Sequence, residues 1–176
     1  GTNRMNVLTI GKASQGLAEY LLDHFDHPSV VIGCDTRIKS DVFQREAASV
    51  FAANGIEVRA WNRPLPVPTV SYAVQKTGAS AGVMITASHN PSKYNGYKVY
   101  GPDGCQITTE AAAEIQNEIG KVDLFSGVKR LPGTDEKNEE RITKIPEDVL
   151  TSFLDEVRAQ SVLFGDEVNR ELAIVY

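Results

Sequence analysis

The sequence predicts an α/β fold, a three-layer α/β/α sandwich around a mixed, mostly parallel sheet. Three observations predict it. Residues Ala81 to Ala87 are nearly all apolar, which suits a strand covered on both faces. Helical and strand-like segments alternate through the first half of the chain at the spacing of crossover connections. The pair Asn90-Pro91 then breaks the pattern, because the proline ring pushes Asn90 from helical angles and ends any ladder. Ser88 therefore sits where a buried strand emerges, at the carboxyl edge where open α/β sheets bind ligands.

The first element is a helix over 7–25, with Val7, Ile10, Ala13, Leu17, Leu21 and Phe25 at helical spacing and Ala18 and Leu22 beside them. His24 and His27 fall at its end, where histidine suits the dipole of a solvated terminus better than a metal site. Ser29 to Asp35 reads as a short buried strand. Ser40 or Asp41 is a candidate cap for the next helix, which carries Phe43, Ala47, Val50 and Phe51 and closes at Asn54-Gly55. Ile56 to Trp61 alternates weakly as a second strand, and Pro64, Pro66 and Pro68 mark a rigid loop. Thr69 then caps a helix through Lys76, stopped by Gly78, before the strand at 81–87.

Beyond Ser88 the pattern changes. Gly96 to Gly101 returns as a strand, Pro102-Asp-Gly104 turns, and Thr108 caps an amphipathic helix from Glu110 to Ile119. Lys121 to Lys144 reads as a charged, solvated excursion. Pro146 opens a last helix with Val149, Leu150, Phe153, Leu154 and Val157 on one face, and Glu171 to Tyr176 looks like a strand that has only begun. No internal repeat or low-complexity segment interrupts this order.

Composition excludes several classes of function. With 41% hydrophobic and 23% charged residues the chain is an ordinary globular protein, and 176 residues suffice for one domain. Such a domain buries about two-thirds of its unfolded surface and needs no staples. No apolar run approaches the roughly twenty residues that span a bilayer. Net charge is −5 with no basic stripe, which argues against nucleic acid. The two cysteines, Cys34 and Cys105, read as reduced thiols of a cytoplasmic protein. The three histidines show no zinc-ligand spacing. The opening Gly1-Thr-Asn-Arg-Met-Asn6 carries neither a signal pattern nor an initiator methionine, as expected of a processed chain or an internal fragment.

The candidate chemistry gathers around Ser88. Phosphoryl transfer asks little covalent work of a protein. It needs one positioned oxygen, and positive charge where negative charge collects. Ser88 offers the oxygen, while His89, Lys93, Lys98 and, from an earlier strand end, Arg37 offer positive or hydrogen-bonding groups. Each also has a plainer reading. Adjacent residues on an extended chain point apart, so Ser88-His89 is not by itself a dyad. A loop serine often bonds its own backbone, Lys98 suits the surface of an edge strand, and Arg37 suits an ion pair with Asp35 or Asp41.

The segment T-A-S-H-N-P at 86–91, followed by Y-N-G-Y-K at 94–98, resembles the active-serine loop of the α-D-phosphohexomutases, which include phosphoglucomutase and phosphomannomutase. Asp35-Thr-Arg37 after a strand matches the first of that family's four domains, and the opening G-T-N-R-M-N is most similar to its bacterial phosphoglucomutase branch. The resemblance implies that Ser88 is phosphorylated, passes its phosphoryl group to a sugar phosphate, and supplies one oxygen to Mg²⁺. It implies general acid–base work for Lys98, substrate orientation or shared proton transfer for His89, and support of the phosphoserine region for Arg37. The reaction implied interconverts hexose 1-phosphate and hexose 6-phosphate, glucose before mannose, through a 1,6-bisphosphate. Glucose 1,6-bisphosphate is the implied activator.

The resemblance also implies what this chain does not contain. Residues 1–160 would be the first domain without its N-terminal segment, and 161–176 a linker and the first strand of a truncated second domain. The remaining Mg²⁺ ligands and the sugar-choosing loops would come from the other domains of the same polypeptide, leaving the isolated chain inactive. A phosphopentomutase or amino-sugar phosphomutase would share this domain, and a non-catalytic anion-binding module would keep the fold without the chemistry. A serine hydrolase is a weaker alternative, because no G-x-S-x-G elbow occurs.

Overall fold

Asn6 starts the first helix through a capping box: its side chain accepts from the Thr9 amide at 3.0 Å, and the Thr9 hydroxyl accepts from the Asn6 amide at 3.1 Å. In this computed structural model, which describes residues 3–132, 141–162, 171 and 173, the order is α1 (Val7–His24), β1 (Ser29–Cys34), α2 (Ser40–Ala53), β2 (Glu57–Ala60), α3 (Val67–Thr77) and β3 (Ala81–Ile85). There follow β4 (Tyr97–Tyr100), α4 (Thr109–Lys121), β5 (Ile142–Lys144) and α5 (Glu147–Ala159). The strands lie in the order β4-β3-β1-β2-β5. Neighbours are parallel except β4, which runs antiparallel to β3 with Met84 opposite Lys98 and Ile85 opposite Tyr97.

The pleat explains the three layers. Side chains alternate across a strand, so Val30, Ile32 and Cys34 of β1 and Ala81, Val83 and Ile85 of β3 face α1, α2 and α4. Val31 and Met84 point the other way, toward Trp61, α3 and α5. Gly33 and Gly82 let α3 approach that second face closely. A Cβ on either would lie 2.5–2.6 Å from a methyl of Val70 or Val74. Both faces are therefore covered, as the apolar run at 81–87 predicts. Phe51 is fully buried at the centre of the larger layer. Phe51→Ala is expected to destabilise the domain by roughly 3–5 kcal/mol, seen as a lower urea midpoint at an unchanged slope.

Several expectations need correction. Neither Ser40 nor Asp41 caps α2. The chain enters through Lys39 in the left-handed region (φ 65°), with the Ser40 hydroxyl engaged by Asp35 and Asp41 paired to Arg45 at 2.8 Å. Thr69 likewise does not cap α3, because Pro66 already occupies the cap and Pro68 fits the first turn, where its missing amide costs nothing. The Thr69 hydroxyl instead donates to the Pro66 carbonyl at 2.7 Å. The excursion after Lys121 is not merely solvated. The Lys129 amide donates to Gln15, the Leu131 amide to Ser49, and Arg130 pairs with Glu46 at 2.7 Å, tying this segment across α1 and α2. Residues 142–144, read as the end of that loop, form β5. Leu154 and Val157 of α5 and Val7 and Leu22 of α1 are exposed although their spacing places them with the core. The strand read at 171–176 falls almost wholly outside the described residues.

Among the described residues no helix is long and apolar enough to cross a membrane. Both cysteines are free, Cys34 buried and Cys105 exposed. Burial, then Asp35 and Asp41, push the Cys34 thiol up from 9.0 to about 11. Iodoacetamide at pH 8 is expected to modify Cys105 in the folded chain and Cys34 only after unfolding. Because the unfolded thiol ionises first as pH rises, the contribution of Cys34 to stability is complete below pH 9.0 and declines toward about pH 11.

Candidate functional site

β1 and β3 are adjacent and parallel, so their carboxyl ends deliver two loops to one edge of the sheet. The loop after β1 carries Asp35 and Arg37. The loop after β3 carries Thr86, Ser88 and His89, then turns at Asn90-Pro91 and returns through Asn95 and Gly96 into β4. Gly96 is needed for a tight approach: a Cβ there would lie 2.5 Å from the Thr86 carbonyl oxygen, while the Thr86 amide donates to the Gly96 carbonyl at 3.0 Å.

Ser88 and Lys98 meet. The Lys98 ammonium donates to Ser88 Oγ at 2.7 Å. This pairing follows from the register, which sets Lys98 opposite Met84 and leaves its long side chain reaching past the strand end to the serine. Ser88 itself is exposed and holds a left-handed backbone conformation (φ 57°), uncommon for a residue other than glycine. Its amide donates to Thr86 Oγ1 at 3.0 Å. Next to Lys98, the Tyr97 hydroxyl bonds Ser14 of α1 at 3.0 Å, and burial raises it well above the usual phenol range.

Arg37 does not present its charge to the site opening. Its side chain is only 8% exposed and its nitrogens are all engaged. Nε pairs with Asp35 at 2.9 Å, Nη1 donates to the carbonyls of Asn90, Pro91 and Tyr94 at 2.6, 2.9 and 3.2 Å, and Nη2 donates to that of Ser88. The ion pair with Asp35 and the gathering of the serine loop thus occur together, two readings the sequence leaves as alternatives. His89 is exposed, and among the described residues nothing hydrogen-bonds it. Lys93 lies over the Tyr94 ring, 5.5 Å from its centroid.

Sequence reasoning missed Asp35 and Thr86 as site residues, although both lie in the motifs it singles out. The Asp35 carboxylate accepts from the Arg37 amide and Nε, from Ser40 Oγ at 3.1 Å and from Thr86 Oγ1 at 2.5 Å. Ser40 Oγ in turn accepts from Asn95 Nδ2 at 2.9 Å. A carboxylate at the carboxyl end of a buried strand, two residues before an arginine, was the available signal. Among the described residues no group of three or more His, Cys, Asp or Glu could hold a metal ion, and Asp35 is saturated by its donors. What the arrangement can do is hold a single exposed serine oxygen against an ammonium, on a loop anchored at several points.

Residues 1–125 match the family model described as phosphoglucomutase/phosphomannomutase, alpha/beta/alpha domain I. A phosphoglucomutase of Staphylococcus epidermidis is 36% identical over 176 residues, all of this chain and 32% of that protein. A protein of Haemophilus influenzae named "Probable phosphomannomutase" is 43% identical over 134 residues, 74% of this chain and 27% of that one. One of Schizosaccharomyces pombe named "Probable phosphoribomutase" is 50% identical over 110 residues, 61% of this chain and 19% of that one. The crystal structure of a protein assigned as a phosphomannomutase from Thermus thermophilus superposes with a TM-score of 0.73 at 27% identity, covering 89% of this chain and 32% of that one. The chain spans about a third or less of the length of these relatives.

Proposed function

Because the chain belongs to the phosphoglucomutase/phosphomannomutase family, as its α/β/α domain I, we propose that it supplies the phosphoryl-carrying serine of a sugar phosphomutase. Ser88 is that serine. The observation that carries the reading is the 2.7 Å contact from Lys98 Nζ to Ser88 Oγ at the carboxyl edge of the sheet. In the forward step the phosphorus–oxygen bond to Ser88 breaks as a sugar hydroxyl bonds to phosphorus. The hydroxyl gives up its proton to solvent water, and the departing serine oxygen gains one. An ammonium at hydrogen-bond distance is placed to deliver that proton and, once neutral, to recover it when the reaction reverses. The second phosphoryl group of the resulting bisphosphate then returns to Ser88.

His89 and Lys93 line the exposed side of the loop and are the groups left to meet substrate phosphate, since Arg37 is consumed by its loop. Phosphoserine carries roughly −1.5 to −2 charges at pH 7, which calls for positive partners. Mg²⁺, when bound, supplies further charge neutralisation. Its fit to this chain is one phosphoserine oxygen, with the other ligands coming from outside these residues. On this reading residues 1–160 form domain I and 161–176 lead into the second domain. The substrate is a hexose phosphate, glucose before mannose. A pentose phosphate is the second reading, favoured by the 50% identity to a protein named as a phosphoribomutase.

The test is intact-mass and peptide analysis of the full-length protein after incubation with glucose 1,6-bisphosphate. One added phosphoryl group on Ser88 is expected. Its absence there, with mutase turnover present, would reject the assignment. Turnover on glucose, mannose, ribose and glucosamine phosphates compared side by side decides the sugar.

A further inference from the structure

We propose that Asp35 is a positioning residue for Ser88, acting through two relays that converge on the serine loop; this rests on the reading of Ser88 as the phosphoryl carrier. The first relay is short. Thr86 Oγ1 donates to Asp35 Oδ2 at 2.5 Å, which orients the hydroxyl's lone pairs toward the Ser88 amide at 3.0 Å. Thr86 is 2% exposed, so water does not compete for that proton. The second relay is Arg37. Asp35 balances its charge and fixes its plane, and the far side of the guanidinium then collects the carbonyls of Ser88, Asn90, Pro91 and Tyr94. The Ser88 peptide is thus gripped at its amide by one relay and at its carbonyl by the other.

This grip accounts for the left-handed backbone of Ser88. A non-glycine residue stays in that region only where its surroundings over-determine it. The conformation aims Oγ at Lys98. Asp35 touches neither Ser88 Oγ nor the Lys98 ammonium, so its effect on chemistry is geometric. A third branch, Asp35 to Ser40 to Asn95, anchors the far end of the loop just before Gly96.

The experiment uses the full-length protein with Asp35→Asn, Thr86→Val and the conservative Thr86→Ser. Asp35→Asn and Thr86→Val are expected to lower kcat by about 10²-fold, the cost of a misplacement near 1 Å. KM for the sugar phosphate is expected to stay within about threefold, because binding groups are untouched. Thr86→Ser, which keeps the relay hydroxyl, recovers most of the loss caused by Thr86→Val. A second readout is independent of catalysis: trypsin cleavage after the exposed Lys93 is expected to accelerate about tenfold in Asp35→Asn, measured well below that variant's own melting midpoint so that local opening is read rather than global unfolding. If kcat falls by less than about threefold in both disrupted variants, or Thr86→Ser is as poor as Thr86→Val, the positioning role is overturned. If wild-type protein carries no phosphoryl group on Ser88, the reading beneath fails instead, and the trypsin rate alone decides whether Asp35 holds the loop. Should Asp35→Asn not fold, Thr86→Val with its serine rescue decides the same question.

Discussion

Replacing Ser88 with alanine in the full-length protein is expected to reduce mutase turnover by at least about 10⁴-fold, the scale on which removing a covalent carrier acts. On the proposed reading the loss follows from the chemistry: among the described residues no other hydroxyl shares the position 2.7 Å from Lys98 Nζ, so the phosphoryl group would have nowhere to rest between its two transfers. The fold should not notice. Ser88 is exposed, and its backbone bonds to Thr86 and Arg37 remain available to alanine. A surface change of this kind stays within about 0.5 kcal/mol. Paired measurements of turnover and thermal midpoint check the prediction. Turnover within tenfold of wild type, at any stability, would sink it.

Lys98→Met is the second large effect. Methionine keeps much of the length and the apolar stem but removes the donor that faces Ser88 Oγ. Turnover is expected to fall by about 10²–10⁴-fold, the usual worth of a positioned acid–base group. Lys98→Arg separates charge from proton transfer, since guanidinium keeps its charge and does not release a proton in proteins. If Lys98 serves only as a charge, arginine restores most of the rate. If it moves a proton, the arginine variant stays nearly as slow as methionine. Pre-steady-state phosphorylation of Ser88 by the bisphosphate isolates the transfer step from substrate release.

Much of the fold was legible because burial leaves a local trace. The nearly all-apolar run at 81–87 and the alternating segments around it announce a strand covered on both faces, and two packed layers do cover it. The short β5 left no such trace. Its three residues, Ile142-Thr-Lys144, are mostly polar and form a strand only because β2 offers them an edge. The caps failed for a related reason. Ser40 and Thr69 are good capping types, yet each hydroxyl has a tertiary or turn partner that takes precedence, the Asp35 carboxylate for one and the Pro66 carbonyl for the other.

The site divides along the same line. Ser88, its loop and Lys98 lie within one short segment, so their types and order could be read as a phosphate-handling stretch and matched to a family. That segment is what the sequence determined by itself, together with the α/β class. Only the tertiary structure decided what each residue does with its neighbours. Adjacent parallel strands brought Asp35 and Arg37, some fifty positions earlier, against the serine loop. Packing joined the two readings of Arg37, partner of Asp35 and support of the serine loop, in one loop clamp, and pleat register rather than proximity in sequence pointed Lys98 at Ser88. The physical reason is that hydrogen-bond saturation is a property of three-dimensional neighbours. A sequence states which donors and acceptors exist, and the fold settles which of them are already spent.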